Sequence, residues 1–435
     1  MALSTKPYKG ARDFYPEDKR LQNYMFGKWR EVAERFGYEQ YDAPILEPLD
    51  IYLAKTGEEI VNEQTYAFED RGGRQVVIRP EMTPTVSRMV AARRQELAYP
   101  LRWYSIPNLW RYERPQRGRL REHWQLNVDI FGVPGIEAEY EVISLVDAMF
   151  KAFGATHDMY EIRLNSRKFM DYVLKSHLKL SAKEAHDVSK LIDRLHKMEC
   201  GDFIAKVDAV IDPKKLKSGT VEKLLTVLDA KDPAKLPTEL KSHESVAELE
   251  TVLARLRAAG IRNAVFDASL MRGFDYYTDI VFEVFDKHPD NNRSMLGGGR
   301  YDGLVGLFGV APVPTVGFGW GDVTLANFLE LHHLLPDLKP ATDVYAVLAG
   351  DIGTAAAKPV ADLRALGINV AVDLSRRKLG DQIKAADKHG INFALIIGET
   401  ELAEGKFKLK NLKTGKEQTL PIQKIALILE EQRPK

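Results

Sequence analysis

The sequence predicts a mixed α/β protein in which an antiparallel, sheet-containing region flanked by helices is interrupted by a helical block and followed by a smaller α/β region. Three observations predict this organisation. Residues 101–112 and 122–131 have strand composition around a polar turn, as in a long hairpin. Residues 168–257 are Lys-rich and helical, with almost no strand signal. From residue 343 onward, strands alternate with helices, which is typical of a largely parallel sheet.

The remaining elements follow from apolar periodicity and from the positions of glycine and proline. Residues 18–36 and 137–153 each have helical spacing, and a glycine closes each run. Strand patterns resume at 263–285 after the helical block. Residues 333–342 lie in a segment with two prolines and are predicted to be a linker.

Length, charge and cysteine content exclude several classes of protein. The 435 residues are enough for two or three domains. Lys and Arg number 62, as do Asp and Glu, so a nucleic-acid partner would have to bind local basic patches. The single cysteine, Cys200, excludes an internal disulfide and a cysteine-based zinc site. The N-terminal residues do not resemble a signal peptide and no long apolar run occurs, so we expect a cytoplasmic protein without a membrane span.

Polar side chains alternate along both strands of the predicted hairpin. A strand period of two groups Arg111 with Glu113, and on the returning strand Gln125, Asn127 and Asp129. If both faces point the same way, an arginine, two carboxylates and two amides converge above the sheet. A solvated sheet face with a basic turn explains the same alternation. Under either interpretation the opposite face is expected to be core, namely Trp110, Tyr112, Trp124, Leu126, Val128 and Ile130.

Three further segments carry candidate binding residues. Glu81 and Thr83 stand just before a predicted helix, where Glu81 either binds a ligand or stabilises the helix N-terminus. Arg272 beside Gly273 is suited to an anion, although a surface arginine at a bulge has the same sequence. The glycine cluster GGGRYDGLV at 297–305 is predicted to be a loop whose N–H groups face a ligand.

The stretch GFGWGDVTLA at 317–326 is compatible with a phosphate-binding loop, a strand packed against a helix, or part of an active site. The sequence contains no metal-ligand motif, no Walker loop, no dinucleotide-binding fingerprint and no G-x-S-x-G. No metal site is therefore predicted from protein motifs.

In this order, the segments resemble the histidyl-tRNA synthetases of the class II aminoacyl-tRNA synthetase family, over nearly the whole chain. YKGARDFYPED resembles the family's N-terminal opening, GYEQYDAPILEPLDIY its motif 1 and RYERPQRGRLREHWQLNVDIFG its motif 2. LMRGFDYYTDIVFE and GGGRYDGL resemble the two blocks particular to the histidine enzyme. RRKLGDQIKAADKHGINFALIIGE resembles its anticodon-binding domain.

The resemblance implies a class II catalytic domain, a helical insertion domain, a linker and an anticodon-binding α/β domain, at residues 1–167 with 258–332, 168–257, 333–342 and 343–435 respectively. It implies a histidine–tRNA ligase that uses ATP with Mg²⁺, histidine and tRNA-His. It also implies a homodimer formed through the motif 1 region near Pro44.

Residue roles follow from the same resemblance. Arg111 and Arg272 would be the catalytic cations at the α-phosphate, and Glu113 and Arg119 would complete the ATP site. The implied histidine-binding residues are Glu81, Thr83, Gln125, Asp129, Arg272, Tyr276, Tyr277 and Tyr301. The implied contacts to the tRNA acceptor end are Gln116, Arg117 and Arg119.

Two positions depart from the family pattern. Asp129 stands where the family more often has the longer glutamate, which would lengthen or water-bridge a contact to imidazole. GFGWGDVTL occupies the place of motif 3, and Thr324 stands where that motif has an arginine that clamps ATP. Either another cation replaces this arginine (Arg300, an arginine of the motif 2 loop, or extra magnesium), or the chain is a paralogue that no longer charges tRNA.

A non-catalytic regulatory subunit of histidine biosynthesis is therefore the alternative, although such subunits typically lack the C-terminal domain that this chain has. An enzyme that adenylates another acid is a third interpretation, disfavoured by the RGFDYY block. Under the main interpretation we expect 317–321 to be a strand below the ATP site, with glycines that leave room for the nucleotide. We also expect Asp322 to cap the helix that follows.

Overall fold

A computed structural model of the chain describes residues 3–53, 64–114, 118–195, 198–216, 219–271, 276–291 and 293–433. The chain divides into two compact units: Met1–Asp13 with Gln22–Leu335, and Phe14–Leu21 with Pro336–Lys435. Within the described ranges, no helix has both the length and the apolar character needed to cross a membrane.

The first unit is organised around two sheets. Its strands are β1 (Glu39–Gln40), β2 (Leu46–Pro48), β3 (Tyr66–Glu69), β4 (Gln75–Ile78), β5 (Leu101–Ser105), β6 (Asn108–Trp110), β7 (Glu122–Phe131), β8 (Tyr160–Ser166), β9 (Ala264–Phe266), β10 (Ile280–Asp286), β11 (Ser294–Arg300) and β12 (Thr315–Gly321). The large sheet has the order β1-β5-β7-β12-β11-β10-β8-β9, and β6 also pairs with β7. Only β1 with β5 and β8 with β9 pair in parallel among these described neighbours. A smaller sheet has the order β2-β4-β3.

Most helices outside the helical block lie on the aromatic core side of the large sheet, while the helix at 83–92 packs through Val86 and Val90 against Leu101 and Phe131 at one end of the opposite face. The helices outside the helical block are α1 (Pro16–Arg35), α2 (Asp50–Leu53), α3 (Thr83–Ala92), α4 (Glu137–Ala152) and α12 (Asp322–Leu331). On the core side of the sheet, the ring of Phe150 in α4 stacks at 4.1 Å on Tyr160 and at 4.4 Å on Trp320. Because strand side chains alternate, a core face of large aromatic residues leaves the opposite face free for other chemistry.

The predicted hairpin forms, but its first strand is not continuous. β5 pairs with the second half of β7 and β6 pairs with its first half. Pro107 lies between them and has no N–H for the ladder, while its carbonyl accepts from Gln125 N at 3.1 Å. The prediction that Tyr112 belongs to the core is wrong, since this side chain lies beyond the end of β6 and is 50% exposed.

The described residues between β8 and β9 form only helices and turns. They comprise α5 (Arg167–Asp171), a π-helix (Tyr172–His177), α6 (Ala182–Asp193), α7 (Cys200–Val210), α8 (Pro213–Leu216), α9 (Thr220–Leu228), a 3₁₀ turn (Pro233–Lys235), α10 (Thr238–Lys241) and α11 (Glu244–Ala258). Ser181 begins α6 with a capping box: its hydroxyl accepts from Glu184 N, and the Glu184 carboxylate accepts from Ser181 N at 2.7 Å.

The second unit contains a mixed five-stranded sheet. Its elements are β13 (Val344–Ala349), α13 (Gly353–Ala365), β14 (Val370–Val372), α14 (Leu379–Lys388), β15 (Phe393–Gly398), α15 (Glu399–Glu404), β16 (Phe407–Asn411), β17 (Glu417–Leu420) and α16 (Ile422–Glu431). β14, β13 and β15 are parallel, as the strand–helix alternation predicts. β16 and β17 extend the sheet as an antiparallel hairpin that the sequence patterns did not predict.

Candidate active site

Strand β7 carries a row of polar side chains on the face opposite the aromatic core. Gln125, Asn127 and Asp129 alternate along the strand. The Gln125 side-chain amide donates to Asn127 Oδ1 at 2.8 Å, and Asn127 Nδ2 donates to the Gln125 carbonyl at 3.0 Å. Asn127 and Asp129 are buried. The interpretation of this row as a solvated sheet face is therefore wrong.

Strand β12 places glycines directly beside this row. The register pairs Asp129 with Gly317 and Asn127 with Gly319. A methyl group at 317 would collide with Asp129 Oδ1, and one at 319 would stand 2.9 Å from the Gln125 side-chain carbonyl carbon. GFGWG is a strand, as expected. Its glycines make room for the polar side chains of the adjacent strand, so the expectation that they leave room for a nucleotide needs correction.

The glycine cluster that follows residue 296 also lies in a strand. Gly297 and Gly299 of β11 pair with Gly319 and Gly317 of β12, so the predicted loop is wrong. Two neighbouring strands therefore present glycine at matched register positions, beside the polar row of β7. These glycines form the floor of the site, and the side chains of Asp129, Gln125 and Tyr277 pack directly over Gly317, Gly319 and Gly299.

Asp129 and Tyr301 form a buried pair at one end of this floor. Tyr301 donates its hydroxyl proton to Asp129 Oδ1, and both side chains are buried. Burial raises the pKa of Asp129 to about 7, and the Tyr301 hydrogen bond acts in the opposite direction. Burial also raises the pKa of Tyr301, with the Asp129 charge as the next cause. A carboxyl group with a pKa close to neutral pH, next to a phenol, can bind an N–H donor or a cation.

A second acid–phenol pair lies nearby. Tyr276 donates its hydroxyl to Glu81 Oε2 at 3.3 Å, and both residues are buried. Glu81 is held from its backbone as well, because Tyr52 donates to the Glu81 carbonyl at 3.2 Å. Thr83 is the first residue of α3, two positions further on. Glu81 therefore makes a specific side-chain contact, which goes beyond a general preference for a helix N-terminus.

Three tyrosine rings join the two pairs into one wall. The ring centroid of Tyr276 lies 4.8 Å from that of Tyr277 and 5.7 Å from that of Tyr301. Tyr277 and Tyr301 are 6.5 Å apart. Leu270, Val281 and Leu304 pack against the same rings. The structure thus brings five of the predicted histidine-binding residues together, namely Glu81, Asp129, Tyr276, Tyr277 and Tyr301.

Arginines lie toward the other end of β7. Arg111 Nε donates to the Pro80 carbonyl at 2.8 Å, and its backbone N–H pairs with Arg121 O at 2.8 Å. Glu113 is mostly buried, and its carboxylate lies 3.8 Å from Arg119, whose side chain is 59% exposed. Arg111 therefore has a fixed backbone position close to the start of β7.

Arg300 is not available as a replacement ATP-binding cation. It forms a bidentate ion pair with Glu139, with both N–O distances at 2.7 Å, and both side chains are at least 95% buried. It also donates to the carbonyls of Val133 at 3.0 Å and Gly135 at 2.8 Å. The hypothesis that Arg300 compensates for Thr324 is not supported, because its N–H groups are used within the fold.

Residues 322 and 324 both make contacts that differ from expectation. Thr324 Oγ1 lies 2.8 Å from the Met295 carbonyl and 2.9 Å from that of Gly321. Gly321 is the N-cap of α12, so the expectation that Asp322 caps this helix is wrong. The buried Asp322 carboxylate instead accepts from Trp124 N at 3.0 Å and binds Arg12 Nη2 at 2.8 Å.

Arg12 lies close to the arginine end of the site, although no sequence pattern points to it. It belongs to a short N-terminal segment that lies along the start of β7, where the Gly10 carbonyl accepts from Arg121 N at 2.9 Å and from Glu122 N at 3.2 Å. The pKa of His123 on the same strand is lowered to about 3, first by burial and then by the charges of Arg111 and Arg12. No local pattern marks Arg12, because its partner lies 310 positions away.

Three predicted residues lie outside the described residues, namely Gln116, Arg117 and Arg272. The segment that precedes residue 272 is held by Asn165, whose Nδ2 donates to the carbonyls of Ala268 and Leu270, each at 3.0 Å. Among the described residues, no three His, Cys, Asp or Glu side chains are grouped as a metal site.

The site therefore has two chemically distinct ends on one sheet face. From Asp129 to His123 the strand extends about 20 Å, at about 3.4 Å per residue. Carboxyl groups and phenols line the first end, and the guanidinium groups of Arg111 and Arg12 lie near the second. This arrangement suits a ligand with a polar cationic head and an anionic tail.

A large antiparallel sheet with such a site is the catalytic architecture of class II aminoacyl-tRNA synthetases. A family profile for histidyl-tRNA synthetase matches residues 10–321, and one for an anticodon binding domain matches residues 344–432. The chain belongs to the histidyl-tRNA synthetase family.

Two relatives support this assignment, and one solved structure shares the fold. The histidine–tRNA ligase of Leptospira biflexa is 45% identical over 412 residues, which is 94% of each chain. The histidine–tRNA ligase of Thermoplasma volcanium is 36% identical over 430 residues, which is 97% of each chain. The crystal structure of histidyl-tRNA synthetase from Nostoc sp. PCC 7120 has the same fold, with a TM-score of 0.82 at 24% identity over 99% of this chain and 100% of that one.

Proposed function

We propose that the protein is an ATP-dependent histidine–tRNA ligase. The observation that carries this proposal is the pairing of Asp129 with Tyr301 and of Glu81 with Tyr276 on the sheet face that also carries Arg111. Histidine has a cationic ammonium group and an imidazole with N–H donors, and both match a pocket of buried carboxyl groups and phenols. ATP supplies the anionic counterpart for the arginine end.

Within this pocket, each end of histidine has its own partners. We assign the ammonium group to Glu81, Thr83 and Gln125, which lie just before α3, at its first residue and on β7, respectively. We assign the imidazole nitrogens to Asp129 and Tyr276, and the shape of the pocket to Tyr277 and Tyr301. Burial of these groups favours charge-assisted hydrogen bonds, because water competes poorly there. Arg272 would complete the pocket at the histidine carboxylate.

Activation requires the neutralisation of phosphate charge. A carboxylate oxygen of histidine attacks the α-phosphorus of ATP, the bond from that phosphorus to the bridging oxygen of the β-phosphate breaks, and pyrophosphate leaves with the electron pair. Arg111 and Arg272 would stabilise the charge that develops on the α-phosphate oxygens. Glu113 would accept from the adenine amino group, and Arg119 would contact the nucleotide. Mg²⁺ would enter with ATP, bound mainly by phosphate oxygens.

Transfer to tRNA-His follows from the adenylate. A hydroxyl of the terminal ribose attacks the acyl carbon, the bond between that carbon and the phosphate oxygen breaks, AMP leaves and the hydroxyl proton is released. Gln116, Arg117 and Arg119 would contact the acceptor end. We also propose the domain boundaries given by the resemblance, with 168–257 as an insertion domain and 343–435 as the anticodon-binding domain.

We further propose a cytoplasmic homodimer formed through the motif 1 region near Pro44. The small sheet and its surroundings expose several large apolar side chains, namely Ile45, Leu46, Leu53 and Phe68. Exposed apolar groups that cluster in this way mark interaction surfaces. Light scattering on the purified protein tests the proposal, and a monomeric, active enzyme would contradict it.

A regulatory subunit is not favoured as the alternative. A regulatory subunit would need neither an intact amino-acid pocket nor an anticodon-binding domain, and a profile for such a domain matches residues 344–432. Histidine-dependent exchange of labelled pyrophosphate into ATP separates the two functions, with Arg272→Ala as the inactive control. A folded protein without exchange would exclude the ligase, and exchange with another amino acid alone would exclude histidine as the substrate. Charging of tRNA-His then tests the second half-reaction.

A further inference from the structure

We propose that Arg12 is a nucleotide-binding residue that contacts the phosphates of ATP and supplies the cation missing at position 324. This inference rests on the proposed ligase function and adds a residue to its ATP site. It is carried by the position of the Arg12–Asp322 ion pair at the start of α12, on the end of β7 where Arg111 also lies.

The ion pair fixes where the Arg12 guanidinium lies. Asp322 is 1% exposed, and one of its oxygens is bound by Trp124 N at 3.0 Å while the other binds Arg12 Nη2 at 2.8 Å. The acceptor is therefore held rigidly between β7 and α12. Arg12 itself is 28% exposed, so one side of the guanidinium contacts a buried carboxylate while the side chain still reaches solvent.

The neighbours of Arg12 place it at the end of β7 that also carries Arg111. His123 is on the same strand face as Gln125, two residues earlier along β7. The segments that carry Arg111 and Arg12 both bind the backbone of Arg121: Arg111 N donates to Arg121 O at 2.8 Å, and Arg121 N donates to Gly10 O at 2.9 Å. Two cations at the end of β7 away from Asp129 form a suitable site for a polyphosphate.

The N-terminal segment is built to hold Arg12 there. Gly10 accepts two backbone hydrogen bonds from the start of β7, from Arg121 and Glu122. Gly10 also has a φ of +88°, and a side chain at this position would bring its Cβ within 2.7 Å of Arg121 Cγ. The segment can thus lie flat on the strand only because residue 10 is glycine. Arg12 follows two residues later and reaches α12.

The other candidates for the missing cation are less suitable. Arg300 is enclosed by Glu139 and two carbonyl groups. Arg119 is 59% exposed, and its nearest charged partner, Glu113, is 3.8 Å away, so its position is weakly defined. Thr324 carries no charge, and its hydroxyl contacts the Met295 and Gly321 carbonyls. Among the arginines described at this end of the sheet, Arg12 combines a rigid anchor with partial exposure.

The test measures pyrophosphate exchange as a function of ATP and of histidine for Arg12→Ala. We expect kcat/KM for ATP to fall about 100-fold, the usual range for removal of one charge-stabilising group, while KM for histidine changes less than about threefold. Arg163→Ala is the matched control. The Arg163 side chain is 27% exposed and, like Arg12, forms an ion pair with a buried aspartate, Asp267. It lies on β8, four strands from β7 and about 19 Å away.

A rescue experiment separates ATP binding from a purely structural role. In the double variant R12A/T324R, an arginine returns at position 324, and we expect at least a tenfold recovery of kcat/KM for ATP. A structural salt bridge would not be restored by this change. If Arg12→Ala does not fold, Arg12→Gln keeps most of the volume and a donor to Asp322 while it removes the charge, and the same loss is expected.

The inference is overturned if Arg12→Ala and Arg163→Ala affect kcat/KM for ATP equally, or if ATP and histidine parameters change together in Arg12→Ala. ATP-induced thermal stabilisation gives an independent readout, since a ligand that binds the folded state stabilises it by an amount that increases with the ratio of ligand concentration to Kd. We expect ATP to raise the melting temperature of the parent protein and of Arg163→Ala, and to raise that of Arg12→Ala much less. Absence of exchange in the folded parent protein would instead contradict the ligase function itself.

Discussion

Gly317 on β12 lies opposite Asp129 on β7, and the space that a side chain at 317 would fill is occupied by the Asp129 carboxylate. The same relationship recurs one pair further along, where Gly319 makes room for Gln125. The glycines of this strand therefore act on the amino-acid pocket, through the side chains of the neighbouring strand.

Replacement of Gly317 by alanine should consequently damage histidine binding. The new methyl group displaces Asp129 and also meets the Val128 carbonyl at 2.6 Å, so the strand itself has to move. We expect KM for histidine to rise at least tenfold and stability to fall by about 1–3 kcal/mol, as overpacking does elsewhere. Pyrophosphate exchange and urea unfolding measure the two effects. Gly303→Ala is the control, since a Cβ there meets nothing within 4 Å; equal effects at 317 and 303 would contradict the explanation.

The titration of Asp129 should be visible in stability. Its pKa in the folded protein is raised to about 7 by burial, above its ordinary value of 3.8. Between these values the folded state holds a proton that the unfolded state has lost, so this group makes stability fall as pH rises from about 4 to 7 and has no further effect above 7. Asp129→Asn removes this contribution. We expect urea unfolding at pH 5 and pH 8 to show a smaller decrease for the variant; parallel decreases would contradict the assignment.

The buried pair of Arg300 and Glu139 should matter for stability and not for ATP binding. Removal of one partner leaves a charge buried without its counterion, which typically costs about 3–5 kcal/mol. We therefore expect Arg300→Met and Glu139→Gln each to lower the urea midpoint strongly, and the double variant R300M/E139L to recover much of the loss. KM for ATP should stay within about threefold in every variant that folds. A stable Arg300→Met protein with weak ATP binding would instead make Arg300 part of the ATP site.

The polar row of β7 could be predicted from the sequence because it depends on a local rule. Side chains two apart on a strand share a face, so Gln125, Asn127 and Asp129 had to lie together. The break between β5 and β6 has a local cause as well, since Pro107 lacks the N–H that a continuous strand would need at this position.

Other features depend on contacts between distant parts of the chain. Whether a glycine-rich stretch is a loop or a strand is decided by what approaches its backbone, and Gly297 and Gly299 approach other glycines on β12. In the same way, the role of Asp322 follows from Arg12, which is remote in sequence. A capping position is a reasonable local prediction for an aspartate at a helix start, but here the buried carboxylate binds Arg12 and Trp124 N instead.

The hydrogen bond from Tyr276 to Glu81 should contribute to histidine affinity. Tyr276→Phe keeps the ring against Tyr277 and Tyr301 and removes only the hydroxyl, which donates to Glu81 at 3.3 Å. A hydrogen bond to a charged group contributes about 1.5–3 kcal/mol, so we expect KM for histidine to rise roughly 10- to 100-fold with KM for ATP unchanged.

The control for this substitution is Tyr160→Phe. Tyr160 also donates to a buried carboxylate, Asp147, at 2.6 Å, but on the core side of the sheet beside Phe150. It should lose stability without losing histidine affinity. If both variants weaken histidine binding alike, the effect of Tyr276→Phe reflects general destabilisation.

The glycine at position 10 should control the ATP site through Arg12. Gly10→Ala introduces two problems, a left-handed backbone for a residue with a side chain and a clash with Arg121 at 2.7 Å. Both lift the N-terminal segment from β7, so Arg12 loses its defined approach to Asp322. We expect kcat/KM for ATP to fall about tenfold in the exchange assay, with KM for histidine little changed.

The control variant Gly37→Ala separates backbone strain from the clash, because Gly37 has a φ of +77° and nothing within 4 Å of its Cβ position. It should show the backbone strain alone, as a lower melting temperature with normal ATP kinetics. Equal ATP kinetics in the two variants would show that contact with Arg121 has no part in holding Arg12.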